Sequence, residues 1–157
     1  MRNGETTIED WKTLTLRLEE KQSREERDRF SDAIYILTRW TDVDQVNIEK
    51  LKSLNCPVAK ILAVHTGSRE AINADSDTAK GLESQLLLAR GTRIMLTANL
   101  WTAVGLVNGS MGTVQDIIFN DRGPPCLPTV AFISFDSYEG LTITASDSTE
   151  VVLIVPI

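Results

Sequence analysis

The sequence predicts an α/β protein in which helices dominate the first half of the chain and short strands dominate the second half. Helix-capping residues precede apolar side chains at helical spacing within residues 1–55. From residue 85 onward, short segments of β-branched and aromatic residues alternate with Gly, Asn, Asp and Pro. With 157 residues, 42% of them hydrophobic and 24% charged, the chain has the composition of a globular domain, or of a domain and part of another.

Two helices are expected near the start of the chain. The first follows Thr6 and Thr7, which can cap it, and it carries apolar residues at helical spacing: Ile8, Trp11, Leu14 and Leu18. The second begins at Ser23, because Ser23-Arg24-Glu25-Glu26 has the form of a capping box. It is expected to run to about residues 30–33.

A strand, a third helix and another strand are expected next, which together indicate an α/β layer. The apolar run Ile34–Leu37 predicts a buried strand, and Val58–Val64 predicts the second one. Between them, Thr41 and Asp42 can cap a helix that ends before Pro57, since proline disfavours helical geometry in the residue before it. One side of this helix is expected to carry Val43, Val46, Leu51 and Leu54.

A polar stretch, residues 66–84, is predicted to be a surface loop, and short strands follow it. Turn residues such as Asn108-Gly109 separate these strands, so a small antiparallel sheet or barrel is expected. The predicted strands are Gln85–Ala89, Arg93–Leu100, Thr113–Asn120, Leu127–Phe135, Leu141–Ala145 and Val151–Val155. The chain stops in the apolar run VVLIVPI, which suggests either a buried strand or a chain cut within a larger protein.

The net charge of −6 is distributed unevenly along the chain. Residues 101–157 contain one basic residue, Arg122, and six acidic ones. Because phosphate binding requires a basic face, this acidic last third argues against a domain that binds DNA electrostatically on its own. No membrane partner is expected, since no apolar run reaches the length of a span. The two cysteines lie far apart and are expected to be free thiols inside the cell.

The usual catalytic and metal-binding patterns are not met. Gly105–Gly112 is rich in glycine, but it lacks the lysine of a phosphate-binding loop and is better read as a tight turn. The single histidine, His65, has no serine or cysteine nucleophile motif beside it. Asp42 and Asp44 suit helix capping better than metal binding. No metal site and no independent catalytic constellation are therefore predicted.

Two stretches of the sequence have a more specific pattern of residue types and spacing than the glycine-rich segment or the single histidine. One is Leu86-Leu-Leu-Ala-Arg-Gly91-Thr-Arg-Ile-Met-Leu-Thr-Ala-Asn99-Leu-Trp followed by Gly105-Leu-Val-Asn-Gly-Ser-Met-Gly-Thr-Val114, and the other is Ile36-Leu-Thr38-Arg39 followed by Val46-Asn47 and Leu51. In this order they resemble the C-terminal half of PIF-type (petite integration frequency) helicases, especially the versions carried by Helitron-type mobile elements. The match is strongest over residues 86–119.

The resemblance implies a fold and a function. Residues 1–100, with the loop at 66–84, would form part of the second RecA-like motor domain. Residues 101–157 would form an inserted Src-homology-like antiparallel β-barrel, truncated at its C-terminal end. Members of the family use ATP and Mg²⁺ to move 5′-to-3′ along single-stranded DNA in repair, recombination and genome maintenance. An intracellular protein is expected, in the nucleus or alternatively in mitochondria.

The resemblance also assigns candidate sites. Thr38 and Arg39 would lie at a strand end that faces the nucleotide or the DNA. Thr97, Asn99, Asn108 and Gly109 would contact DNA at the junction of motor domain and barrel, through short polar groups and exposed backbone. Each position has another interpretation, since Asn108-Gly109 is a hairpin signal in any protein and Asn99 can satisfy backbone groups at a strand end.

The three tryptophans, Trp11, Trp40 and Trp101, are candidates for stacking on bases, although core or rim packing is the favoured interpretation. The family's nucleotide-binding loop and its last helicase motifs are absent from the sequence, so ATP hydrolysis by this chain alone is not expected. A fragment that depends on the missing helicase domains is therefore the first interpretation. The alternative is a noncatalytic module that binds single-stranded DNA or a protein.

Overall fold

The computed structural model describes residue 4 and residues 6–30, 33–65, 78–79, 82–145 and 148–156. The chain divides into two compact units, residues 1–43 and residues 44–157. Among the described residues, the first two helices lie in the first unit and seven strands lie in the second, while the third helix begins in the first unit and ends in the second. Among the described helices, none has the length and apolar character needed to cross a membrane.

The first two helices begin at predicted capping residues, Thr7 and Ser23, and each start is a capping box, which had been predicted only for the second helix. Helix α1, Ile8–Thr15, starts after Thr7, whose hydroxyl accepts a hydrogen bond from the Asp10 N–H at 3.2 Å while the Asp10 carboxylate accepts from the Thr7 N–H at 2.8 Å. Helix α2, Arg24–Asp28, repeats the arrangement with Ser23 and Glu26. Each box satisfies N–H groups that have no partner within the helix.

The capping boxes should make the helices of the first unit sensitive to acid. A hydrogen bond from the Thr7 backbone lowers the pKa of Asp10, and one from the Ser23 backbone lowers the pKa of Glu26. A carboxyl group whose folded-state pKa is lowered stabilises the fold above its unfolded pKa, and this contribution is lost as the pH falls through the folded value. We expect the helical circular dichroism to be constant near neutral pH and to decrease below about pH 4.

The control for this acid titration is the doubly substituted chain Asp10→Asn, Glu26→Gln, in which neither group can titrate. Its helical signal should be lower at neutral pH and should change less between neutral and acidic pH. An equal acid-dependent decrease in both proteins would show that the capping carboxylates do not cause it.

The apolar residues around these helices are exposed, and one predicted strand is not formed. None of the side chains described in α1 is buried. Residues 34–37 lie in no strand, and the Ile36 side chain is 95% exposed, so the buried strand predicted at Ile34–Leu37 is wrong. A strand requires a hydrogen-bonded neighbour, and none of the described strands pairs with this segment.

Helix α3, Trp40–Ser53, has the predicted apolar side and the predicted end, but the prediction that Thr41 and Asp42 cap it is wrong, because both lie in its first turn. The half-buried residues of α3 and of the turn that follows include the four predicted ones, Val43, Val46, Leu51 and Leu54. The backbone then turns at Asn55, which adopts a φ of 50°, a left-handed conformation that asparagine tolerates better than most residues.

The second unit contains two antiparallel sheets. Strands β1, Ala59–Leu62, and β2, Gln85–Leu88, pair with each other. The larger sheet has the order β3-β4-β5-β7-β6, and its strands are β3 Arg93–Met95, β4 Met111–Ile118, β5 Val130–Phe135, β6 Ile143–Thr144 and β7 Glu150–Ile154. The core cluster takes residues from both sheets: Ile61, Leu88, Val114, Ala131 and Ile133.

The larger sheet is open, which corrects the prediction of a barrel. In the described part of the chain, β3 and β6 are its two edges and do not pair with each other. Each edge strand is short, three residues in β3 and two in β6, so neither offers a long ladder for closure. Residues 66–77 and 80–81 of the predicted loop lie outside the described residues.

The domain boundary predicted between residues 100 and 101 stays a prediction. The sheet includes residues from both sides of it, because β3 pairs with β4.

Candidate functional site

The connection between β3 and β4, residues 96–110, is a closed hairpin that we call the junction hairpin. The Leu96 N–H donates to the Ser110 carbonyl at 2.9 Å, and the Gly109 N–H donates to the Leu96 carbonyl at 2.8 Å. Further out, Trp101 and Leu106 form an antiparallel bridge. The hairpin therefore continues the β3–β4 pairing beyond the sheet itself.

The tip of the junction hairpin rests on the chain that follows β5. A single 3₁₀ turn, Thr102–Val104, forms the tip and ends at Gly105, whose φ is 89°. The Glu139 N–H donates to the Val104 carbonyl at 3.1 Å. A Cβ atom placed on Gly105 would lie 2.6 Å from the Ser137 carbonyl oxygen, so only glycine fits against this backbone.

The four residues predicted to contact DNA meet in this hairpin. Thr97 and Asn99 lie on its first arm, Asn108 and Gly109 lie on its second arm, and all four are exposed. The side-chain oxygen of Asn99 accepts a hydrogen bond from the Asn108 N–H at 2.8 Å. Asn99 therefore has the backbone-satisfying role that was one of its two interpretations. The DNA-binding role of the four residues stays a prediction.

The glycine-rich segment of the hairpin uses its own N–H groups. The N–H of Asn108 donates to Asn99, that of Gly109 to the Leu96 carbonyl, and that of Ser110 to the Val107 carbonyl. The Val107 N–H donates to the Gly105 carbonyl and to the Ser110 hydroxyl, at 3.1 and 3.0 Å. A phosphate-binding loop requires free N–H groups, so the geometry favours the tight-turn interpretation of Gly105–Gly112.

The surface near the hairpin has little free positive charge. Residues 96–110 contain no charged residue. The nearby Arg93 guanidinium forms a two-point ion pair with Asp136, with 2.8 Å between Nη1 and Oδ1, and it also donates to the Thr113 hydroxyl at 3.0 Å. Hydrogen bonding from Arg93 lowers the pKa of Asp136. This arginine is thus committed to joining β3 to the end of β5.

The predicted nucleotide-binding residues, Thr38 and Arg39, lie in the first unit and are both exposed. They precede helix α3, and the Arg39 carbonyl accepts hydrogen bonds from the N–H groups of Asp42 and Val43 at 3.1 and 3.2 Å. The prediction that they follow a strand is wrong, because the segment before them is not a strand. Their role in nucleotide binding stays a prediction.

The expectation that ATP and Mg²⁺ belong to the intact family member and not to this chain alone stays a prediction. Magnesium sites use carboxylates, and no group of three His, Cys, Asp or Glu side chains that could hold a metal occurs in the described residues. Asp42 and Asp44 lie within α3. Asp75 and Asp77, in the predicted loop, are outside the described residues.

Sequence reasoning missed two features of the junction hairpin. Trp101 is 54% exposed, although packing was the favoured interpretation for the tryptophans, and Trp11 and Trp40 are exposed as well. The contact of the hairpin tip with Ser137 and Glu139 was also missed, since this segment was read only as a turn between strands. A glycine at position 105 is the one signal in the sequence that a close backbone contact was possible.

Comparison with known proteins gives a consistent set of relatives, although no family model matches the chain. The chain is 29% identical over 99 residues to the ATP-dependent DNA helicase PIF7 of Trypanosoma brucei brucei, which covers 63% of this chain and 9% of the relative. It is 34% identical over 103 residues to the ATP-dependent DNA helicase PIF1 of Danio rerio, which covers 64% of this chain and 15% of the relative. The chain thus spans a small part of the curated relatives that it matches.

A solved structure of Pif1 helicases unwinding forked double-stranded DNA matches the fold. The TM-score is 0.54 at 21% identity, and the match covers 98% of this chain and 33% of that chain. The α/β part of the predicted fold is thereby confirmed as an arrangement found in a Pif1 helicase, whereas the closed barrel is not. These similarities confirm the resemblance predicted from the motifs: over most of its length, this chain is similar to a part of the PIF-type ATP-dependent DNA helicases.

Proposed function

We propose that this chain is part of an ATP-dependent DNA helicase that moves 5′-to-3′ along single-stranded DNA, and that the junction hairpin is its DNA-contacting element. The observation that carries the proposal is the meeting of Thr97, Asn99, Asn108 and Gly109 on one exposed hairpin, as the helicase motif implied. The similarity to PIF7 and PIF1 helicases supports it.

The proposed DNA contacts come from the side chains of Thr97, Asn99 and Asn108, whereas Gly109 has no side chain to contribute. The N–H groups of Asn108 and Gly109 already donate within the hairpin, so they are poor candidates for binding phosphates. The amide nitrogens of Asn99 and Asn108 and the Thr97 hydroxyl make no hydrogen bond to another described residue. These groups can donate to phosphate, sugar or base oxygens.

Nucleotide chemistry in this proposal depends on the rest of the helicase. Thr38 and the cationic side chain of Arg39 would contribute to a nucleotide site that other helicase domains complete, and those domains would supply the residues that hold ATP and Mg²⁺. ATP supplies the energy for translocation when bound there. The chain alone is proposed to have no ATPase activity, because positioning and charge stabilisation of the phosphates need those other parts.

A role in DNA repair, recombination or genome maintenance, and a location in the nucleus or alternatively in mitochondria, belong to the same proposal. Both rest on the family resemblance.

A titration of the chain with fluorescently labelled single-stranded DNA tests the DNA contact. We expect detectable but weak binding, with a dissociation constant above about 10 μM at physiological salt, since nonspecific binding is supplied by phosphate neutralisation and the hairpin carries no charge. The slope of log K against log[salt] should be shallow, with a magnitude below about 1. A phosphate-hydrolysis assay with ATP and DNA serves as the parallel measurement and should give no turnover.

Two outcomes would contradict the proposal. Micromolar or tighter binding with a steep salt slope would favour the alternative, an independent module that binds single-stranded DNA electrostatically. No binding at any attainable DNA concentration would remove the junction hairpin as a DNA-contacting element.

A further inference from the structure

Trp101 combines an exposed side chain with a fixed backbone. Its ring-bearing side chain is 54% exposed. Its backbone is held by two hydrogen bonds to Leu106, one in each direction at 3.0 Å, and the Leu100 N–H donates to the same Leu106 carbonyl at 3.0 Å. Leu106 is itself 4% exposed, so the bridge anchors Trp101 to a buried residue.

The immediate neighbours of Trp101 are apolar or neutral. Leu100 and Val107 are partly exposed, and Asn99 and Asn108 lie on the two arms of the same hairpin. Within residues 96–110 there is no charged side chain, and the nearest cation along the chain, Arg93, is paired with Asp136. Residues 96–110 themselves therefore supply no cation for an ionic contact with a phosphate group.

We propose that Trp101 is a base-stacking platform, so that the junction hairpin binds unpaired DNA through a base rather than through phosphate charge. This inference rests on the proposed function and identifies the part of the DNA that the site recognises.

Three properties of the site fit an unpaired base. A base presents a flat aromatic face, and stacking on it gains from an aromatic residue whose backbone is held in place before binding. Base edges carry neutral hydrogen-bond acceptors, to which the free amide nitrogens of Asn99 and Asn108 can donate. A base within a duplex presents only its edges in the grooves, so stacking selects single-stranded DNA.

The test uses the full chain and two oligonucleotides of equal length, oligothymidylate and an oligomer whose sugars carry no bases. Both have the same phosphates, so they differ only in the bases. The unmodified chain should bind oligothymidylate at least about fivefold more tightly than the abasic oligomer. Trp101→Ala should weaken binding of oligothymidylate by about 5- to 150-fold and leave binding of the abasic oligomer unchanged.

Two substitutions serve as controls. Trp11→Ala removes a tryptophan of similar exposure, 61%, from the first unit and should not change either affinity. Trp101→Phe keeps an aromatic ring and should retain more affinity for oligothymidylate than Trp101→Ala. In the background Trp11→Phe, Trp40→Phe, the remaining fluorescence comes from Trp101 and should be quenched by oligothymidylate but not by the abasic oligomer.

The outcomes separate this inference from the proposed function. If the unmodified chain binds both oligomers equally, or if Trp101→Ala and Trp11→Ala behave alike, DNA contact stands and base stacking is wrong. If the chain binds neither oligomer, the DNA-contacting role of the hairpin fails, and the platform fails with it. A shift of Trp101 emission with protein concentration alone would mean that a second copy covers the ring, which also overturns the inference.

Discussion

Replacing Gly105 by alanine should lower the free energy of unfolding of the second unit by about 2–5 kcal/mol. The first part of this cost is conformational, since a φ of 89° is in the left-handed region and costs a residue with a Cβ atom about 1–2 kcal/mol. The second part is steric, because the new Cβ would lie 2.6 Å from the Ser137 carbonyl oxygen, and overpacking costs about 1–3 kcal/mol. Backbone cannot rotate away as a flexible side chain can.

Gly109→Ala is the matched control for the Gly105 substitution. Its φ of 94° is similar, but nothing lies within 4 Å of the added Cβ. Only the conformational cost applies, so we expect a loss of about 1–2 kcal/mol. Urea unfolding of both variants, followed by circular dichroism and by Trp101 fluorescence, measures the difference. Equal losses would mean that the hairpin tip does not rest on Ser137.

Ile133→Ala should destabilise the second unit by about 2–5 kcal/mol, the usual cost of emptying a large buried position. Ile133 lies in β5, is 2% exposed, and is part of the core cluster with Val114 and Ala131. The surrounding residues come from different strands and cannot all move inward to fill the space, so a cavity remains.

The same substitution at an exposed position gives the control. Ile143, in the short edge strand β6, is 52% exposed, so Ile143→Ala should cost at most about 1 kcal/mol. The urea concentrations at the unfolding midpoints of the two variants give the comparison. An unchanged slope of the free energy of unfolding against urea concentration would show that both variants unfold from the same compact state. If Ile133→Ala costs as little as Ile143→Ala, the packing of β5 against β4 is not the core of the unit.

The sequence predictions were correct where the interacting residues lie close together along the chain. Thr7 was predicted as a cap of the first helix, and a capping box of Ser23 and Glu26 was predicted for the second. The structure shows a capping box at both helices, each formed by residues three positions apart. The half-buried side of α3 was predicted for a similar reason, because helical geometry alone brings Val43 and Val46 to one side. These features need no knowledge of the rest of the chain.

Predictions failed where a distant partner decides the structure. Residues 34–37 have the composition of a buried strand, but a strand forms only beside another one, and composition does not reveal whether a neighbour is present. The barrel failed for the same reason, since closure depends on whether β3 and β6 meet. Asn99 was expected either to contact DNA or to satisfy a backbone group, and the structure shows that its side-chain oxygen accepts from the Asn108 N–H, nine residues away, while the DNA contact stays a prediction.

The sequence by itself determined the capping residues of the first two helices, the half-buried side and the end of α3, the approximate positions of all seven strands in the described residues and the resemblance to PIF-type helicases. All of these depend on neighbouring residues or on a spacing of motif positions that can be read along the chain. The tertiary structure alone decided that the sheet is open, that the hairpin tip rests on Ser137 and Glu139, and that Trp101 is exposed. Each of these depends on which parts of the chain contact each other in the folded protein. A residue of a given type is buried where such a contact covers it and exposed where none does.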